Sequence, residues 1–160
     1  MNLLILSCVY NDWQSVQELL VLLNNEVGQA GLRASVLLVD DGSTEPRPKK
    51  LMADNLTALA SVRTLHLRNN VGHQRAIAIG LCALADRTEF DAILVMDSDG
   101  EDRPSDIAAL LAASRQHPGS VALAGRAKRS ESTMFRLWYR LYKLLFYLLR
   151  HRHTPPFAPA

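Results

Sequence analysis

Cysteine is scarce in this 160-residue sequence, and no long unbroken apolar run occurs in it. Cys8 and Cys82 are too few for a disulfide framework; both sit in apolar or helical patterns and read as small buried hydrophobes in a reducing compartment. No stretch reaches the ~18 consecutive apolar residues of a membrane span. Residues 1–9 are apolar but short, lack a basic leader and run straight into a turn, so they read as a first strand rather than a signal peptide. The phosphate loop GxxxxGKS/T and the dinucleotide fingerprint GxGxxG are both missing, which disfavours the nucleotide-dependent enzymes built on them. There is no internal repeat and no low-complexity segment. The net charge of +2 gives no reason to expect a nucleic-acid partner.

What remains is an ordinary globular composition, 48% apolar and 21% charged, in a chain long enough for one α/β domain. Residues 3–9 and 34–39 are continuous apolar runs, as expected of strands buried on both faces of a parallel sheet. Residues 62–67, 92–96 and 121–124 are predicted as three further strands. Between them, helices are predicted from Trp13 through Leu23, around residues 50–59, over 76–85, and from Pro104 to about His117, with Asn11 and Asp12 as N-cap candidates. Alternating strands and helices imply right-handed βαβ units and a mostly parallel sheet.

Polar residues cluster where strands end. Asn11 and Asp12 follow the first, Asp40-Asp41-Gly42-Ser43 the second, and residues 97–102 the fourth. In an open parallel sheet those ends share one edge, where ligands bind. Asp97-Ser98-Asp99 places two carboxylates two residues apart on a loop, a set suited to Mg²⁺ or Mn²⁺, and Glu101 offers a third oxygen. An isolated acidic turn capping the helix at Pro104 has the same sequence. Asp40 to Ser43 reads either as a group that accepts base or ribose hydrogen bonds, or as a plain Asx turn. Asn70-Val71-Gly72 reads as a turn capping the next helix, and His73 as a solvent-facing first-turn residue or a phosphate contact.

Taken in order, Val9-Tyr10-Asn11-Asp12, Val39-Asp40-Asp41-Gly42-Ser43, Asn70-Val71-Gly72 and the stretch from Val95 to Pro104 resemble family 2 glycosyltransferases. The likeness extends over residues 2–147 and is greatest to dolichyl- or polyprenyl-phosphate sugar synthases and GtrB-like bacterial enzymes. It implies a GT-A (Rossmann-like) domain over residues 1–130 that binds a nucleoside-diphosphate sugar with Mg²⁺ or Mn²⁺. It places donor contacts at Cys8, Tyr10, Asp12, Leu38, Asp40, Asp97, Ser98 and Arg126, and metal ligands at Asp97, Asp99 and Glu101. No catalytic base is assigned. Cys8 stands where the family usually has proline, and Asp12 where it has a longer glutamate.

Residues 131–150 follow as a basic amphipathic helix, and 151–160 as a tail. Arg136, Arg140 and Lys143 form one cationic stripe among Leu, Trp, Tyr and Phe, a composition suited to a membrane interface; packing on the domain or on a second copy in a homo-oligomer is the other reading. The expected activity is inverting transfer to polyprenyl phosphate or another membrane-associated acceptor at the cytoplasmic face. The alternative is a shortened nucleotide-sugar-binding module with little transfer activity.

Overall fold

The computed structural model describes residues 1–48, 51, 56–117 and 119–125. Its order is β1 (Asn2–Val9), α1 (Trp13–Gln29), β2 (Arg33–Asp40), β3 (Leu59–His66), α2 (His73–Cys82), β4 (Ala92–Val95), a 3₁₀ turn (Pro104–Asp106) and α3 (Ile107–Gln116). The four strands form one sheet in the order β3-β2-β1-β4, and every pair is parallel. This is the Rossmann-like α/β architecture expected from the sequence. Two compact units divide the chain, Met1–Ala122 and Leu123–Ala160; the sheet and its helices belong to the first.

β1 and β2 are central, so their residues are covered from both sides. Leu3, Ile5 and Val9 face α1, while Leu4, Leu6 and Cys8 face α2. Helix α1 starts where Asp12 accepts the Ser15 amide at 3.1 Å, leaving Asn11 free for a different task. Its apolar stripe of Trp13, Val16, Leu19, Leu20, Leu23 and Val27 recurs at helical spacing and packs on Val36 and Leu38. Ile107 and Leu111 of α3 join that same layer. On the opposite face, α2 approaches the sheet so closely that a Cβ on Gly80 would lie 2.7 Å from both Leu6 and Val39.

Several expectations are corrected. Residues 121–125 form no strand: they find no ladder partner, and Val121 and Leu123 stand 84% and 85% exposed. β3 begins at Leu59, so residues 56–59 are loop and strand rather than helix; the rest of that expected helix lies largely outside the described residues. Cys82 is exposed because it closes α2 off the Ala76–Gly80 face. Arg126 and the segments 131–150 and 151–160 also lie outside the described residues.

Candidate functional site

All four strands being parallel, the loops after β1, β2, β3 and β4 emerge at one edge of the sheet. Hydrogen bonds tie them together. Asn11, at φ 59°, accepts the backbone amides of Thr44 and Glu45 on Oδ1 at 2.8 and 2.9 Å, and its own amide donates to the Ser43 hydroxyl at 2.9 Å. A side chain that can accept two amides and tolerate a left-handed backbone explains asparagine here. The first loop thereby clamps the second.

Strand alternation sends the paired aspartates to opposite faces. Asp40 lies on the α1 side, where its Oδ1 accepts the Ser43 amide at 2.9 Å and its Oδ2 meets His66 Nδ1 at 2.8 Å. Asp40 and His66 are register partners on neighbouring strands, which sets that contact. Burial works against ionisation of Asp40, but the hydrogen bonds from Ser43 and His66 outweigh it and hold the carboxyl below its usual value of 3.8. His66 was not foreseen from sequence; a polar residue ending β3 beside the one ending β2 was the available signal.

Asp41 lies on the α2 side, 3% exposed, and takes the amides of Val71 and Gly72 at 2.7 and 3.0 Å. Gly42 makes this approach possible. At φ +71° a Cβ there would stand 2.6 Å from the backbone carbon of Asn69. The 70–72 turn is therefore anchored by a residue of the second loop, and Gly72, not an asparagine side chain, occupies the N-cap of α2.

Helix α2 then presents His73, whose Nε2 lies 3.1 Å from Asp97 Oδ1; their side chains are 49% and 33% exposed. Cys8 sits under this pair. Burial, then the negative charges of Asp41 and Asp97, push its thiol up to about 11, so it stays protonated at neutral pH. The Ser98 hydroxyl donates to the Cys8 carbonyl at 3.0 Å, and the Asp97 amide to Asp102 Oδ2 at 2.9 Å, which fix the loop after β4.

Asp99 goes elsewhere. Its Oδ1 accepts the Glu101 amide at 2.9 Å, and with Ser98, Asp102 and Arg103 it lines a cavity of about 300 Å³ against Glu18 and Leu22 of α1. Among the described residues no three His, Cys, Asp or Glu side chains are gathered as a preformed metal cluster. A second cavity, about 410 Å³, opens at the amino ends of the strands beside Arg33 and Arg63, away from the acidic loops.

Residues 4–158 match Glycosyl transferase family 2. The chain belongs to that family. It is similar to the undecaprenyl-phosphate 4-deoxy-4-formamido-L-arabinose transferase of Erwinia tasmaniensis, 29% identical over 108 residues, covering 68% of this chain and 32% of that protein. The enzymes of the same name from Salmonella paratyphi B and Salmonella typhimurium are each 27% identical over 104 residues, 65% of this chain and 31% of theirs. The chain thus spans about a third of the length of these curated relatives.

Against that family background, the structure puts Tyr10 (49% exposed), Asp12, Asp97 and Ser98 on loops at one sheet edge, with Asp40, buried, as the last residue of β2 at that same edge. Leu38 is not at the surface of that crevice. It is fully buried and its side chain packs in the α1 layer, so it shapes the core beneath the site. Cys8 is likewise 8% exposed, a floor beneath Asp97 and His73.

Proposed function

We propose that this chain binds a nucleoside-diphosphate sugar at the carboxyl edge of its sheet and serves a family 2 glycosyltransferase acting on a polyprenyl-phosphate acceptor. The observation that carries the reading is the interlocked set of loops, in which Asn11, Asp41 and Ser98 hold the acidic strand ends in one place. The relatives named for undecaprenyl phosphate support the acceptor class. A lipid phosphate also suits the chemistry, because its oxygen is already anionic and needs no general base.

The residues suit a divalent ion of the Mg²⁺ class. Such ions bind through one or two carboxylates and complete their shell with water and substrate phosphates, so no preformed protein cluster is required. Asp97 is partly exposed, its side chain at 33%, so an ion with its waters can reach it. A bound ion would offset charge growing on the departing diphosphate. Asp97 would hold it, Asp99 and Glu101 lie on the same loop, and Asp40 with Ser43 would face the nucleoside.

Calorimetric titration of nucleoside diphosphates in Mg²⁺ or Mn²⁺ tests this. Asp97→Asn is expected to weaken binding by ~1–3 kcal/mol, the scale of a lost charge-assisted contact. Equal affinity in the variant, or no dependence on chelator, overturns it. A transfer assay with a polyprenyl-phosphate acceptor then separates donor binding alone from catalysis.

The basic residues Arg136, Arg140 and Lys143 extend the proposal to a membrane surface. At about 1 kcal/mol each, they would give roughly hundredfold preference for anionic vesicles at low salt. Failure to pellet with such vesicles removes that part of the reading.

A further inference from the structure

The cavity at the amino ends of the strands carries positive charge that the proposed donor site does not use. Helix α2 has ten residues, about 15 Å of axis, whereas β2 has eight, about 26 Å of strand. α2 therefore covers only the carboxyl half of its sheet face, where Gly80 meets Leu6 and Val39. The amino half of that face opens into a cavity of about 410 Å³, lined by Arg33, Arg63 and Arg87 against a single glutamate, Glu89. We propose that this cavity is a second ligand site, which binds a phosphate-bearing anion through Arg33 and Arg63. The inference goes beyond the donor-binding reading and does not depend on it.

The two arginines share a face because of an irregularity in β3. Ala34 pairs with Leu59 but Ser35 pairs with Ser61, so Ala60 is an extra residue in the ladder. Leu59 and Val62, three apart, consequently both pack in the α1 layer. Plain alternation from Leu59 would have turned Ser61 and Arg63 toward α1 as well. With the bulge, Ser61 lies beside Ser35, their hydroxyls 3.2 Å apart, and Arg63 follows on the side of Arg33. That is the α2 side, since Leu37, two residues beyond Ser35, packs with Leu4 and Leu6.

The far wall is fixed too. Asn2 donates its backbone amide to Asp91 Oδ2 at 2.7 Å and its side-chain amide to the Glu89 carbonyl at 3.1 Å. Its own carbonyl accepts the Asp91 amide at 2.9 Å. These bonds hold the segment that carries Arg87 at the amino end of β1. Arg87 is paired with Glu89 at 3.4 Å, whereas among the described residues Arg33 and Arg63 have no carboxylate partner. Each guanidinium presents a fork of N–H donors that matches phosphate oxygens, and the Ser35 and Ser61 hydroxyls stand on the same face. The volume lies in the range of small-molecule pockets and leaves room for the group that carries the phosphate.

A ligand held there takes no part in glycosyl transfer. Arg33 and Asp40 are the two ends of β2, about 23 Å apart along the strand. The site is a docking point away from the chemistry, for a soluble phosphate ester or a phospholipid headgroup.

The test titrates the whole chain in EDTA, which removes metal-dependent donor binding. One arm uses inorganic phosphate and the other short-chain phosphatidic acid kept monomeric, each read by ¹⁵N magnetic resonance of arginine Nε–H and backbone signals. Saturable shifts are expected at Arg33, Arg63, Ser35 and Ser61. The double variant Arg33→Ala, Arg63→Ala should lose at least about tenfold in affinity, the scale of lost charge-assisted hydrogen bonds. Its ligand-free Tm should hold, because both residues are exposed. Phosphatidic acid that binds no tighter than inorganic phosphate assigns the site to soluble phosphates; tighter binding assigns it to a lipid headgroup. Shifts that fail to saturate in both arms, or an affinity that the double variant keeps, overturn the proposal. Asp97→Asn should leave this binding intact while weakening that of the nucleotide, so either reading can fail without the other.

Discussion

Asp40 and Asp41 are neighbours in sequence with separate physical duties, because a strand turns successive side chains to opposite faces. Asp41 is structural: two amides of a distant turn converge on it in a nearly dry place. Asp40 is shared between a loop amide and His66, with its carboxyl held below the ordinary value. A carboxyl whose folded pKa is depressed contributes stability that is complete above the unfolded value and is lost as pH falls through the folded one. The contribution of Asp40, measured as the margin of wild type over Asp40→Asn in urea unfolding, should therefore be complete at about pH 5. It should shrink as pH falls below 3.8. A margin that fails to shrink at pH well below 3.8 would contradict the pairing with Ser43 and His66. The tandem acids were visible as a cluster, but their division of labour was not. It depends on which face each residue occupies and on amides from residues 71 and 72, some thirty positions away.

Among the elements, helix α2 shows most directly how packing sets the site. It touches the sheet through Ala76 and Gly80, and Gly80 lies where any side chain would enter Leu6 and Val39 at 2.7 Å. Gly80→Ala should cost about 1–3 kcal/mol by overpacking, against the few tenths to 1 kcal/mol that alanine gains in a free helix. Thermal or urea unfolding measures the net. Stabilisation by this substitution would mean that α2 stands off the sheet. β1 and β2 were legible because strands buried on both faces read as continuous apolar runs, and α1 because its stripe recurs at helical spacing. For α2 the sequence marks 76–85 as the strongest helical stretch, with Asn70-Val71-Gly72 as its capping turn and His73 in its first turn, and the helix does begin at His73. Its capping turn is held by Asp41 across the sheet edge, a partner that the local sequence does not reveal. Residues 121–124 carried a strand-like apolar pattern, yet pattern without a neighbouring ladder makes no strand.

At the scale of the whole molecule, the fold gathers four loops at one edge and leaves their polar groups partly committed to one another. A ligand bound there would compete with contacts such as His73 to Asp97 and would bridge loops that carry the sheet's four carboxyl ends. A ligand that binds only the folded chain raises its stability by mass action, about 2.7 kcal/mol at a hundred times Kd. For a chain of this size each kcal/mol moves Tm by about 2–4 °C, so a saturating nucleoside diphosphate with Mn²⁺ should raise Tm by about 5–11 °C. Mn²⁺ alone should give a smaller rise, and chelation should cancel most of the effect of the pair. The Asp97→Asn variant should lose the rise that depends on the metal while keeping its ligand-free Tm, since Asp97 is partly exposed and its side chain closes no part of the core. Differential scanning across nucleoside diphosphates of different bases would rank the donor, because metal and diphosphate contribute equally to each and only the contacts at Asp40, Asp12 and Tyr10 differ. A rise of the same size for all bases would place recognition wholly on the diphosphate. No rise for any nucleotide, in a chain that unfolds cooperatively, would remove the donor site from this sheet edge.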